Sequence, residues 1–175
     1  MTAEQAPMSS ESPSGIQDVG IPRIRRVLLA TNFTDVCTEA LRHANSLLPS
    51  GGAIRLVHVC HEPSSGINPI VASRVYFDNS LTVARETEEA QEKFKALPAG
   101  LLSVPGVTVT SEVLTHSDVA VAICEAAERF DADVICMGTK GHSRAGAAIL
   151  GSTVQSVLSR SSRPVFAVTP PAKGG

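Results

Sequence analysis

The chain is poor in aromatic residues: 3% of 175, with five Phe, one Tyr and no Trp. Platforms that stack single-stranded nucleic acid need exposed aromatics, so this composition argues against that class. A strong charge of either sign is also missing. Fifteen Lys and Arg stand against seventeen Asp and Glu, a formal net charge of -2. No global field therefore draws in DNA, RNA or an anionic membrane. No apolar run approaches the about 20 residues of a membrane span. The opening MTAEQAPMSSESPSGIQDVG has neither the basic nor the apolar region of a secretory leader, so a cytoplasmic location is expected. There is no CxxC pair. Cys37, Cys60, Cys124 and Cys136 stand alone in helix-like or strand-like runs and read as buried, reduced thiols. His58, Cys60 and His61 are near neighbours, but strand alternation puts Cys60 and His61 on opposite faces, so no metal site is expected.

What is present suits one globular domain: 43% hydrophobic and 18% charged residues. Residues 1–22, rich in Ser, Pro, Glu and Gln, read as a flexible tail, residues 23–170 as a single domain, and 171–175 as a C-terminal tail. Val27–Ala30 is a short continuous apolar run of the kind buried on both faces in a parallel sheet. Thr34 or Asp35 can cap the next helix, whose stripe is Val36, Ala40, Leu41, Ala44, Leu47 and Leu48. A second strand covers Ala53–Cys60. From His61 to Asn79 the pattern is lost, and a long connection is expected there. A helix resumes near Ser80 with Val83, Thr87, Ala90, Phe94 and Leu97 on one face. Val107–Leu114 reads as a third strand, Ser117 as the cap of a further helix, and Val134–Gly138 as a fourth strand. Strands separated by helices of this length imply an α/β fold: a parallel sheet with helices on both faces, a three-layer α/β/α sandwich. Ligands then sit beyond the carboxyl ends of the strands.

The sharpest local signal is Gly138-x2-Gly141-x9-Gly151-Ser152. It joins a strand end to a helix start through a loop carrying Lys140, His142 and Arg144. Backbone amides at such a junction can donate to phosphate oxygens, with the Ser152 and Thr153 hydroxyls beside them. The same glycines equally suit an unliganded connection with Ser152 as a helix cap. Two other phosphate motifs fail. Gly146-x4-Gly151 has P-loop spacing, but Ser152 stands where the Lys is required, and no G-x-G-x-x-G follows the first strand. A G-x-S-x-G nucleophile elbow is absent too.

From Arg25 to Pro170 the chain resembles the universal stress proteins. The resemblance rests on the glycine spacing above, on Pro164-Val165-Phe166-Ala167-Val168 after it, on VLLATNFTD at the first strand and on LVHVC in the second. The spacing resembles that of the family's ATP-binding branch. The resemblance implies an adenine nucleotide alpha hydrolase-like sheet of five parallel strands in the order 3-2-1-4-5. It implies a homodimer formed by pairing Val165–Val168 antiparallel across a two-fold axis. It puts Ala30, Thr31 and Asn32 beside adenosine, Val59 against the base, and Met137 and Gly138 at the pocket edge. Gly141, His142, Gly151, Ser152 and Thr153 then surround the phosphates. The implied ligand is ATP, with Mg²⁺ as its companion, or AMP or another adenine nucleotide. Asn32 departs from the family, whose ATP-binding members carry Asp there; Asn loses the charge.

Three functions follow. The first is a dimeric, nucleotide-binding stress-response regulator with an unknown protein client. The second is a dimeric interaction protein that has lost nucleotide binding through Asn32. The third, an enzyme, ranks last. No paired carboxylates or dedicated nucleophile appear in the relevant loops, so catalysis would be at most slow ATP hydrolysis.

Overall fold

The computed structural model describes residues 23–62, 69–98, 105–139 and 150–169. The expected N-terminal and C-terminal tails, and the loop residues Lys140, Gly141, His142, Arg144 and Gly146, lie outside them. Five strands, β1 (Arg26–Ala30), β2 (Ala53–His61), β3 (Thr108–His116), β4 (Val134–Gly138) and β5 (Val165–Val168), form one sheet of order β3-β2-β1-β4-β5. Every pairing is parallel, as each strand is followed by a crossover. The α/β class and the strand order are those expected.

Among the described residues the helices are α1 (Asp35–Leu47), α2 (Pro69–Lys95), α3 (Val119–Arg129) and α4 (Ser152–Arg160). Period-two alternation divides the buried strands between two cores. Val27, Leu29, Ile54, Leu56 and Cys136 pack against Ala40, Leu41 and Ala44 of α1 and Phe94 of α2. Leu28, Ala30, Val57, Ile135 and Met137 pack against Ala120, Ile123 and Ala127 of α3 and Val154 and Val157 of α4. Both faces of β1 and β4 are covered, which is why these strands read as unbroken apolar runs.

Three local expectations are corrected. The second half of the supposed 61–79 connection is helical, because α2 begins at Pro69. Proline is at home in a helix's first turn, where its missing N–H has no partner to lose. Asp118, not Ser117, caps α3, its Oδ1 accepting from Ala120 N at 3.0 Å and Val121 N at 3.2 Å. Thr34 occupies the N-cap position of α1, but its side chain makes no capping bond; its hydroxyl is used elsewhere.

At the other edge of the sheet the strand starts are tied down. Asp133 Oδ2 accepts from the backbone N–H groups of Arg25 (2.7 Å) and Arg26 (2.8 Å). Asp131 bridges the guanidinium groups of Arg26 and Arg163. With β1, β4 and β5 registered there, their carboxyl ends come together at the opposite edge.

Candidate functional site

The strand order reverses between β1 and β4, and the crevice at that point lies where ligands settle in open α/β sheets. Ala30 pairs in register with Val57 of β2 and Met137 of β4, and Gly138 with Val168 of β5. Ala30 and Met137 belong to the α3/α4 core, with the partly buried Val59 packed against it. Thr31, Asn32 and Gly138 therefore leave adjacent strands at one edge.

The β1 exit is held by a dense set of bonds. Thr31 N donates to Val57 O at 2.8 Å, and the Thr31 carbonyl lies 2.8 Å from His58 Nδ1. A carbonyl only accepts, so that ring nitrogen carries the proton. The His58 ring in turn lies against Phe33, centroids 4.8 Å apart, and Phe33 meets Phe94 edge-on at 4.9 Å. Phe33 has φ of 60°, an outlying conformation for a bulky residue. Thr31 Oγ1 supports it by accepting from Phe33 N at 3.0 Å. Asn32 turns its side-chain oxygen into the start of α1. There it accepts from Thr34 Oγ1 (2.8 Å), Cys37 Sγ (3.0 Å) and Thr34 N (3.4 Å). This is where the Thr34 hydroxyl is spent.

Gly138 is demanded by close packing. A Cβ there would stand 2.9 Å from Val36 Cγ1 and 3.3 Å from Val36 Cβ, so α1 approaches the end of β4 more closely than any side chain allows. Thr139 follows. Its N–H donates to Val168 O at 2.8 Å, and its carbonyl accepts from Gly151 N at 2.9 Å. The chain thus leaves β4 at Thr139 and returns to the same residue twelve positions later, at the start of α4. Gly151 is the N-cap of α4 and has no capping side chain; Ser152 is exposed and Thr153 half-buried in the first turn. Thr139 is 4% exposed and its hydroxyl has no hydrogen-bond partner among the described residues. Nothing in the sequence marks that orphaned group.

The thiols are placed as the sequence suggests: Cys37, Cys60 and Cys136 are buried and Cys124 partly so, all unpaired. Burial, reinforced by nearby Cys37, pushes the Cys136 thiol up to about 12. Among the described residues, no three His, Cys, Asp or Glu side chains gather as a metal site would need. No helix of the described residues is long and apolar enough to cross a membrane.

Comparison with known proteins adds a family. The model of the universal stress protein family matches residues 23–169. A universal stress protein of Thermus aquaticus, from the region 3' of a QAH/OAS sulfhydrylase, is 30% identical over 144 residues, covering 82% of this chain and 98% of its own. Among solved structures, MJ0577 of Methanocaldococcus jannaschii superposes with a TM-score of 0.71 at 24% identity, covering 87% of this chain and 100% of that one. A universal stress protein in complex with cAMP superposes with a TM-score of 0.50 at 17% identity, covering 85% and 98%.

Proposed function

This chain belongs to the universal stress protein family, and from that premise we propose that it is a dimeric regulatory protein that binds an adenine nucleotide, ATP or AMP. The observation that carries this reading is the junction at Thr139. One residue accepts from Gly151 N, the N-cap amide of α4, while its own hydroxyl is buried with no partner among the described residues. A buried hydroxyl left unpaired costs about 1–3 kcal/mol. Such a polar group beside a helix N-terminus fits an anion that supplies the missing acceptor. That one structurally similar family member is a complex with cAMP supports adenine nucleotides as the ligand class to test.

In this reading Ala30, Thr31, Asn32, Val59 and Met137 hold the adenosine. Gly138 flanks the pocket, and Gly141, His142, Gly151, Ser152 and Thr153 hold the phosphates. The bound nucleotide supplies negative charge, which the α4 dipole and the first-turn amides stabilise. Mg²⁺, where it accompanies ATP, is carried by the phosphates themselves.

The dimer is proposed on separate grounds. β5 is an edge strand, and Phe166 on it is 38% exposed. An apolar edge is an aggregation liability unless paired, and pairing with its own copy across a two-fold axis removes it. α4 runs from Ser152 to Arg160 and leads directly into β5, so the phosphate end and the dimer edge are joined by one helix. A client protein would read that linked surface.

The test is direct. Purified protein is denatured and the supernatant assayed for released adenine nucleotide; the stripped protein is then mixed with ATP. Gly141→Val and Ser152→Ala should weaken binding while leaving the dimer intact. Loss of the dimer in those variants would make the loop structural and sink the phosphate assignment.

A further inference from the structure

α1 and α2 lie on the same face of the sheet, yet they pack on it more than on each other. Between them is a cavity of about 190 Å³. Its floor is Leu29 of β1 and Leu56 of β2, which are register partners. Leu41 of α1, Phe33 and Leu97 complete an apolar wall. An apolar cavity of about 150 Å³ is enough to take up benzene, so there is room here for roughly six to eight carbon atoms. The cavity is separate from the candidate nucleotide site. Leu29 and Leu56 belong to the α1/α2 core, whereas Ala30, Val59 and Met137 lie on the α3/α4 side of the sheet.

The polar side chains of the wall are unevenly committed. Thr31 Oγ1 accepts from Phe33 N, and the Thr34 hydroxyl and Cys37 thiol both donate to Asn32 Oδ1. That leaves Thr38 and Lys93 to meet the polar end of a ligand. Lys93 is exposed, and its Nζ stands over the Phe33 ring, 5.5 Å from the centroid, which holds the ammonium at the cavity. Lys95 pairs with Glu92 at 2.8 Å; Lys93 has no carboxylate within ion-pair distance among the described residues. Its charge is therefore open to an anion. Lys93 lies in the last turn of α2, where the carbonyl end of the helix disfavours a multiply charged group. One lysine is also a point charge without the fork that suits phosphate. A monoanion fits both facts.

We propose that the cavity between α1 and α2 is a second ligand site. It takes a small amphipathic monocarboxylate, its aliphatic or aromatic body against Leu29, Leu41 and Leu56 and its carboxylate at Lys93. The site stands independently of nucleotide binding, because the sheet separates the two.

The experiment titrates hexanoate into the full-length protein and follows assigned leucine and methionine methyl resonances by NMR, with the neutral 1-hexanol as control. Leu29, Leu41 and Leu56 methyls should shift saturably while the Met137 methyl stays in place. Lys93→Met keeps an apolar stem at an exposed position and removes the charge. It should bind hexanoate about threefold more weakly or worse and 1-hexanol as well as wild type does. Three results overturn the proposal: no saturable shift at hexanoate concentrations on the order of tens of millimolar, shifts centred on Met137, or undiminished hexanoate binding by Lys93→Met. An equal loss of 1-hexanol binding in that variant would trace the effect to the lysine stem and overturn the carboxylate assignment.

Discussion

Gly138→Ala adds one methyl group at the place where α1 comes closest to the sheet. The new Cβ would lie 2.9 Å from Val36 Cγ1, against about 3.5–4.0 Å for an unstrained carbon contact. Val36 cannot swing aside cheaply, because a β-branched side chain in a helix has one strongly preferred rotamer. β4 cannot retreat either: it is held by β1 on one side and β5 on the other. Overpacking of this kind costs about 1–3 kcal/mol. Replacing glycine returns about 0.4–1 kcal/mol by restricting the unfolded chain. The net expectation is a loss of about 1.3 kcal/mol, the difference of the two midpoints, read as a lowered urea midpoint at unchanged m-value. Val36→Ala should relieve the clash, so Gly138→Ala should cost less in that background by about 0.5 kcal/mol or more. The same loss in both backgrounds, or none in either, would refute the close-approach explanation for this glycine. Because Val36 adjoins Cys37, whose thiol holds Asn32, the clash should also weaken nucleotide binding.

Three further outcomes follow from the same geometry. Burial disfavours the Asp133 carboxylate, but hydrogen bonds from Arg25 N and Arg26 N and the charges of Arg26 and Arg163 outweigh this and hold its pKa below the usual value. Its contribution is therefore fully present above the unfolded value of about 3.9 and disappears as pH falls through the lower folded value. Urea midpoints of wild type and Asp133→Asn should differ at pH 7 and converge in acid; a gap that widens in acid would reverse the sign. Cys136, with its thiol pushed up to about 12, should resist a thiol-specific reagent at pH 8 in the native protein and react once it is unfolded; rapid native labelling would contradict its burial. Phe166→Asp on β5 should convert a dimer to a monomer in light scattering without lowering helical content. An unchanged mass would move the interface elsewhere.

The strands were legible because burial on both faces leaves a plain mark: Val27–Ala30 and Val134–Met137 are runs that only a covered strand needs. The stripe of α2 was equally plain from Val83 to Phe94, where charged residues alternate with the buried face. Before Ser80 that contrast fades, so residues 69–79 read as connection although the backbone there is helical. The sequence places the cap one residue early, at Ser117, because Ser and Asp are near-equal N-caps; Arg160, which pairs with Asp118 at 2.7 Å, is 42 positions away and gives no local cue. The candidate site was legible as glycine spacing. Its energetics were not. That Asn32 spends its oxygen on Thr34 and Cys37 depends on a turn in which Phe33 takes positive φ, and no propensity favours that. That Gly138 faces Val36 is a consequence of packing between segments about 100 residues apart, and the Thr139 hydroxyl is orphaned where the end of β4 meets β5 and the start of α4.

The most direct measurement is a calorimetric titration of the nucleotide-stripped, full-length protein with ATP. Saturable binding at one site per chain, weakened by Ser152→Ala, is the predicted result. No heat at millimolar ATP, with the protein folded and dimeric, would contradict nucleotide binding and leave a dimeric interaction protein in its place.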